Sequence, residues 1–187
     1  FSGTWSQNSH PTDFPSNAHF SPIAAISHLD GLDLINVGLS ATEGVKNMAE
    51  TGNTDQLEKE FQDYRTLTYA LDQVVGESFD SPGKNTFQIG VERGRHTVTF
   101  FSMIAPSPDW FIAASTSLLD PVDGLWYDEV TVYPSTYDAG TDSGVSFTSA
   151  NLVTTPQEAI SFLSTGPLTE GTDSVQNMAK IIFRRVK

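Results

Sequence analysis

From residue 87 onward the chain is cut into short apolar runs, each closed by a proline, glycine or aspartate turn. This punctuation restricts the fold more than any other feature. Phe87, Ile89 and Val91 alternate with Gln88, Gly90 and Glu92, the period-two pattern of a half-buried strand. Arg93-Gly94-Arg95 reads as a hairpin turn into a strand over 96–104 that carries Val98, Phe100, Phe101 and Met103. Further strands are expected over 110–114, 126–133 and 179–186. Phe1 to Trp5 reads as the end of a strand that begins upstream. A chain that opens on Phe1 rather than Met reads as one whose signal peptide has been removed or lies outside it.

The first half is patterned differently. Residues 40–52 read as a helix, with Ser40 and Glu43 as a capping box and Gly52 as the stop. A second helix starts at Asn53 or Thr54. Leu57, Phe61, Tyr64, Leu67 or Thr68, Leu71 and Val74 recur at spacings of three and four, which extends it over about five turns. Residues 20–26 contain Pro22 and read as an edge strand or packed loop. Residues 32–37 are a short strand candidate, 78–85 a turn, and 156–163 a short helix opened by proline. His19 and His28 match no common zinc spacing, so both are expected to be hydrogen-bonded structural residues.

The 187 residues suit one domain, 1–187, with a sizeable core. Ten basic residues against 23 acidic ones give a net charge of −13. That argues against nucleic acid, where Lys and Arg must neutralise phosphates, and against anionic membranes unless calcium bridges the two. No run of about 18 apolar residues exists to span a bilayer. The absence of cysteine excludes disulfides, thiolate metal sites and a cysteine nucleophile.

Two aspartate-bearing turns stand at strand ends. One is Pro106-Ser107-Pro108-Asp109-Trp110; the other is Tyr137-Asp138-Ala139-Gly140-Thr141-Asp142-Ser143-Gly144. Asp138 and Asp142 lie four apart, with Gly140 and Gly144 expected to curl the backbone so that both carboxylates face one point. Calcium takes six to eight oxygens, and Asp109 is the best-placed third carboxylate. The simpler reading is a pair of Asx-turns, since Asp, Gly and Ser are ordinary turn residues. Asp120-Pro121-Val122-Asp123-Gly124 is a further acidic turn whose relation to such a site is open.

These motifs carry a resemblance. Phe1-Ser2-Gly3-Thr4-Trp5, His10-Pro11, Phe20-Ser21-Pro22, Ser27-His28, Glu43-Gly44-Val45, Ala105 to Trp110 and Asp138 to Gly144 resemble, in this order, the spondin domain of F-spondin and mindin. The resemblance implies an all-β, antiparallel, C2-like β-sandwich of about eight strands with the two helices inserted early. It also implies calcium bound by Asp109, Asp138 and Asp142, and a secreted, extracellular adhesion or recognition role. Animal members carry a cysteine pair in the segment that here spans 116–125. Its absence fits a freestanding microbial member.

The expected function is therefore a calcium-binding module that meets an extracellular protein or glycan through its metal loops. A calcium-dependent carbohydrate-binding module is the alternative, with Trp110, Trp126 and Tyr137 as the candidate sugar-facing rings. No G-x-S-x-G, H-E-x-x-H or Walker-type run is present, so an enzyme is not expected, although four histidines leave a Ser-His-Asp set open. Arg93 and Arg95 read as solvated rather than as a recognition spot.

Overall fold

A computed structural model describes residues 1–163, 165–168 and 177–186. The strands in chain order are β1 (Ser2–Gly3), β2 (His19–Phe20), β3 (Ala24–His28), β4 (Ala70–Val75), β5 (Phe79–Asp80) and β6 (Gly83–Lys84), followed by β7 (Thr97–Ala105), β8 (Trp110–Ser117), β9 (Glu129–Val132), β10 (Ser135–Asp138), β11 (Ser161–Phe162) and β12 (Ala179–Arg184). Helices α1 (Glu43–Thr51) and α2 (Asp55–Thr66) lie between β3 and β4. One antiparallel sheet has the order β6-β1-β12-β9. The other runs β11-β10-β8-β7-β2-β5, with β3 also paired to β7 and β4 to β3. The expected sandwich with two early helices is what forms. The described strands exceed the expected eight because several are only two residues long.

All nine residues of β7 are buried. One flank pairs with β8 from Thr97↔Ser117 to Met103↔Phe111. The other is shared by β3, from Ala24↔Phe101 to His28↔Thr97, and by β2, with Phe20↔Ile104. Residues 20–26 are thus interior to the sheet rather than at its edge. Pro22 is tolerated there because it falls in the gap between β2 and β3, where side chains replace the ladder. The Ser21 hydroxyl accepts from Met103 N–H at 2.8 Å, and Ser102 donates to the Ser21 carbonyl at 2.9 Å. Alternate β7 side chains serve two cores. Phe101 and Met103 join Met48, Leu57, Phe61 and Phe111 under the helices. Phe100 and Ile104 join Trp5, Phe20, Trp110 and Ile181 between the sheets. Each such side chain contributes on the order of 1.5–3 kcal/mol by burial. His28, buried, bridges the Leu29 carbonyl and the Thr99 hydroxyl at 2.7 Å each, and His19 Nδ1 meets the Asn17 carbonyl at 2.7 Å. Both hold the structural roles expected of them.

Helix α1 starts later than the sequence pattern indicates. Thr42, not Ser40, is its cap, accepting from Val45 N–H at 3.2 Å. The reciprocal carboxylate comes from α2 rather than from Glu43: Glu60 accepts from Gly44 N–H and from the Thr42 hydroxyl, both at 2.7 Å. Gly44 permits this approach, since a Cβ there would meet Leu57 Cα at 2.7 Å. Gly52 ends the helix at φ 73°, as expected. Helix α2 is shorter than its apolar spacing predicts. Tyr69 N–H bonds to the Tyr64 carbonyl (2.9 Å) and Thr68 N–H to that of Arg65 (3.0 Å), a Schellman closure. Thr68, at φ 63°, takes the place usually held by glycine, and Arg95 Nε donates to its carbonyl at 2.8 Å. Leu71 and Val74 then belong to β4, paired along β3.

Other expectations shift for local reasons. Residues 32–37 form a turn in which Asp33 accepts from Ile35 and Asn36 N–H at 3.0 and 3.1 Å. After the aspartate turn, Phe147 is buried in a further turn, its ring 4.9 Å from Trp5 and 5.5 Å from Trp110. Residues 156–163 are extended rather than helical, with Glu158 N–H bonded to Gly140 and Leu163 N–H to Thr136. Phe87, Ile89 and Val91 do pack on the inter-sheet core, yet their segment is not paired as a strand. Among the described residues no helix is long and apolar enough to cross a membrane.

The helix pair yields a paired prediction. Phe61 is buried, so Phe61→Asp should cost on the order of 3–5 kcal/mol and unfold much of the protein. Glu60→Lys, at a half-exposed position, should still lose on the order of 1.5–3 kcal/mol because it removes a charged acceptor from the α1 N-terminus. Thermal melts measure both; a Glu60→Lys protein that melts with the wild type would refute the shared cap.

Candidate metal centre

The two aspartate turns meet because of strand register. Asp109 ends the turn between β7 and β8, where Ser107 Oγ accepts from Trp110 N–H at 3.1 Å. β8 pairs with β10 so that Trp110 lies opposite Asp138. One step further, Ala139 N–H bonds to the Asp109 carbonyl at 3.2 Å. The side chain of Asp109 enters the second loop and is fully buried. Its Oδ2 accepts from Thr141 N–H (2.7 Å), Asp142 N–H (3.0 Å) and the Thr141 hydroxyl (3.1 Å). Its Oδ1 is buried with no hydrogen-bond partner, the one carboxylate oxygen in that condition among the described residues.

The second loop satisfies itself. Asp138 Oδ1 accepts from Gly140 N–H at 2.8 Å and Asp142 Oδ1 from Gly144 N–H at 2.7 Å, so both form the Asx-turns that turn chemistry allows. Asp142 Oδ2 also accepts from Leu152 N–H at 3.0 Å. Only one of the two glycines is needed for curl. Gly140 sits at φ 72°, where a Cβ would meet the Glu158 carbonyl oxygen at 2.5 Å. Gly144 instead makes room for the first turn, since a Cβ there would meet Pro108 Cγ at 2.6 Å.

Burial pushes the Asp109 carboxyl up to about 6, against its three hydrogen bonds, and the Asp138 charge adds to the rise. Burial also raises Asp138; its bond from Gly140 and the nearby Trp110 indole oppose this, and the Glu158 and Asp142 charges add to it. Acidic groups from three chain segments therefore share one end of the sandwich. Among the described residues no three His, Cys, Asp or Glu side chains converge as a ready metal cage. What stands there is one buried, unpaired carboxylate oxygen, with Asp138 and Asp142 turned partly onto their own backbone.

Several sequence candidates lie elsewhere. Trp110 and Tyr137 are core residues, 3% and 5% exposed, and cannot stack on a sugar. Trp126 is half-buried and bridges to Leu119, at the far end of β8 from Asp109. The 120–124 turn is at that same far end, closed by Asp120 on Val122 N–H and Asp123 on Leu125 N–H, each at 2.8 Å. Arg93 donates to the Gly124 carbonyl at 2.8 Å and Arg95 to Thr68, so both brace loops. The participants missed from sequence are Thr141, Leu152 and Glu158. Thr141 lies inside the recognised motif, whereas nothing local marks Leu152 or Glu158.

The Spondin_N family model matches residues 1–174. Spondin-1 of Gallus gallus is 33% identical over 198 residues, covering all of this chain and 25% of that protein. Spondin-1 of Homo sapiens is also 33% identical over 198 residues, covering 24% of its length. Spondin-2 of Homo sapiens is 32% identical over 170 residues, which is 86% of this chain and 50% of that protein. The chain thus spans about a quarter of the Spondin-1 relatives it matches.

The buried carboxyl sets a pH dependence. Folding raises the Asp109 pKa from 3.8 to about 6, so the native state holds the proton more tightly than the unfolded chain does. Its stabilising contribution is complete below about pH 4 and lost as pH rises through about 6, amounting to on the order of 3 kcal/mol. In chelator, the stability difference between wild type and Asp109→Asn should therefore shift against the wild type between pH 4 and 7.5. Urea unfolding at several pH values measures it; a difference independent of pH would contradict the burial of this charge.

Proposed function

The chain belongs to the Spondin_N family, and from that premise we propose that it is an extracellular adhesion or recognition module whose loops at Asp109, Asp138 and Asp142 hold a calcium ion. One observation carries the reading: Asp109 Oδ1 is buried beside other acidic groups with nothing to satisfy it. A cation there would remove an unmet acceptor and a like-charge repulsion together. The donor set fits the ion. All three side chains offer hard oxygen, the chain has no cysteine, and oxygen-only sites suit calcium rather than zinc. Asp109 is the primary ligand. Asp138 and Asp142 offer the remaining lone pairs of their carboxylates, and loop carbonyls and water complete the shell.

The partner surface is the same loop cluster. Val145, Leu152 and Val153, 78%, 59% and 66% exposed, flank the Asp142 loop and present aliphatic rather than aromatic area. That favours a protein ligand over a sugar, which would call for an exposed ring. A partner carboxylate that enters an open position on the ion also resolves the repulsion expected between an acidic surface and a chain of net charge −13.

Calcium should raise the melting temperature, and chelator should reverse it. Extracellular modules bind calcium with dissociation constants of about 10⁻⁴–10⁻³ M. At a hundredfold excess over that constant the gain is about 2.7 kcal/mol. Asp109→Asn, Asp138→Asn and Asp142→Asn should each remove most of it. Below about pH 6 the proton on Asp109 competes, so apparent affinity should fall by up to about tenfold per pH unit. Identical melts in calcium and chelator, with no calcium by elemental analysis, would end this reading.

A further inference from the structure

The outer face of the four-stranded sheet carries a charge opposite to that of the chain. In β12, Ala179 and Ile181 are buried in the inter-sheet core, and in β1 Gly3 lies against the Phe20 ring. Strand alternation therefore turns their neighbours Lys180 and Ser2 outward. Register sets them in one line, since Ser2 pairs with Lys180 on one flank and with Lys84 of β6 on the other. Tyr133 extends the line on the far side of Lys180. It follows Val132, which packs inward opposite Ile181, and it is 55% exposed. Tyr133, Lys180, Ser2 and Lys84 thus cross the sheet in a row about 14 Å long, at strand spacings of about 4.8 Å. Arg184 lies on the same face, held by Glu129 at 2.8 Å. Three cations against one carboxylate leave this face at +2, in a chain of −13. Among the described residues neither Lys84 nor Lys180 is in an ion pair, although the chain has 23 acidic residues to supply one.

We infer that this row seats an acidic polysaccharide, with one sugar ring on Tyr133 and the acid groups of the following sugars on Lys180 and Lys84. Each part of the row matches one part of that chemistry. An exposed aromatic ring takes the C–H face of a pyranose, and ammonium groups take carboxylate or sulfate in charge-assisted hydrogen bonds. The Ser2 hydroxyl, between the two lysines, is placed for a sugar hydroxyl. The overall charge of the chain selects a thin partner. Screening confines each surface charge to about 8–10 Å. A single polymer strand laid along the row therefore meets the local excess of positive charge. An anionic membrane or an acidic globular protein covers the surrounding acidic surface as well, and is repelled by it. The row shares no residue with the aspartate loops, so it does not depend on calcium binding there.

Titration with hexagalacturonate and with sulfated maltohexaose, in chelator and followed by amide NMR, tests the row with calcium excluded. Binding should shift Ser2, Lys84, Tyr133 and Lys180, and the tighter of the two oligosaccharides identifies the acid group. Neutral maltohexaose should not bind. Affinity should fall at least about tenfold between about 50 and 300 mM salt. Lys84→Gln and Lys180→Gln should each weaken binding about three- to fivefold, and Tyr133→Ala about fivefold, whereas Tyr133→Phe should retain it. Lys59→Gln, the same change of charge at an exposed position of α2, should leave it unchanged. Shifts confined to the aspartate loops, an equal loss in Lys59→Gln, equal binding of neutral maltohexaose, or no binding of either acidic oligosaccharide at low salt would overturn it. Equal binding of a single-stranded oligonucleotide of the same charge would also overturn it, in favour of a site for any polyanion.

Discussion

Two-sided burial of β7 is the constraint on which the other layers depend. A strand with both faces and both flanks covered has no solvent to satisfy its backbone, so every ladder position must be filled. β8 fills one flank, and β3 and β2 divide the other, with Ser21 and Ser102 sealing the gap between them. The same burial separates the molecule into two cores that share only this sheet. Phe100 and Phe101, adjacent in sequence, belong to different cores. A change at either is felt across the sheet through the backbone they share.

The aspartate loops inherit their precision from that framework. Asp109 follows directly from the β7–β8 turn, and the β8–β10 register carries Asp138 alongside Trp110. Rigid strands thus deliver both motifs to one place, the arrangement that suits a site needing sub-ångström order. The loops are also tied to each other before any ion is considered. Three donors on Asp109 Oδ2, and the contact of Pro108 with Gly144, fix the spacing of the two turns. One oxygen of the carboxylate builds the loop, and the other is left over. That division of labour lets a single residue hold the loop and still keep one buried oxygen unpaired.

Much of this was legible in sequence, and the failures have physical causes. The strands of 97–105 and 110–117 and the β12 run were readable because apolar residues and turn punctuation agree there. The pairing of Asp109 with the 138–144 loop was readable only through the family motifs, since 28 residues separate them and spacing says nothing about register. Local capping rules misplaced the α1 start because its carboxylate comes from Glu60, on another helix. The stop of α2 was invisible because Thr68 closes it where glycine is the usual signal, with Arg95 holding its carbonyl from the 93–95 turn. Glu158 and Leu152 reach the site by backbone bonds, which leave no trace in residue type. The alternation of 87–91 predicts a strand that does not form, because alternation reports burial and not pairing.

The junction of α2 and β4 bears on how the chain reaches its fold. From Leu57 to Val74 the apolar spacing is helical throughout, so the local preference of 70–75 opposes its native state. β4 is a strand because β3 is beside it, and β3 is in place because β7 is beside β3. The strand state of this segment therefore depends on chain that lies beyond it: β4 ends at Val75, and β7, which braces β3, begins only at Thr97. Without that brace, extension of α2 past Thr66 competes with sheet formation. In this domain a segment of helical spacing is held as a strand by β3, which is itself braced by the central hairpin that follows in the chain.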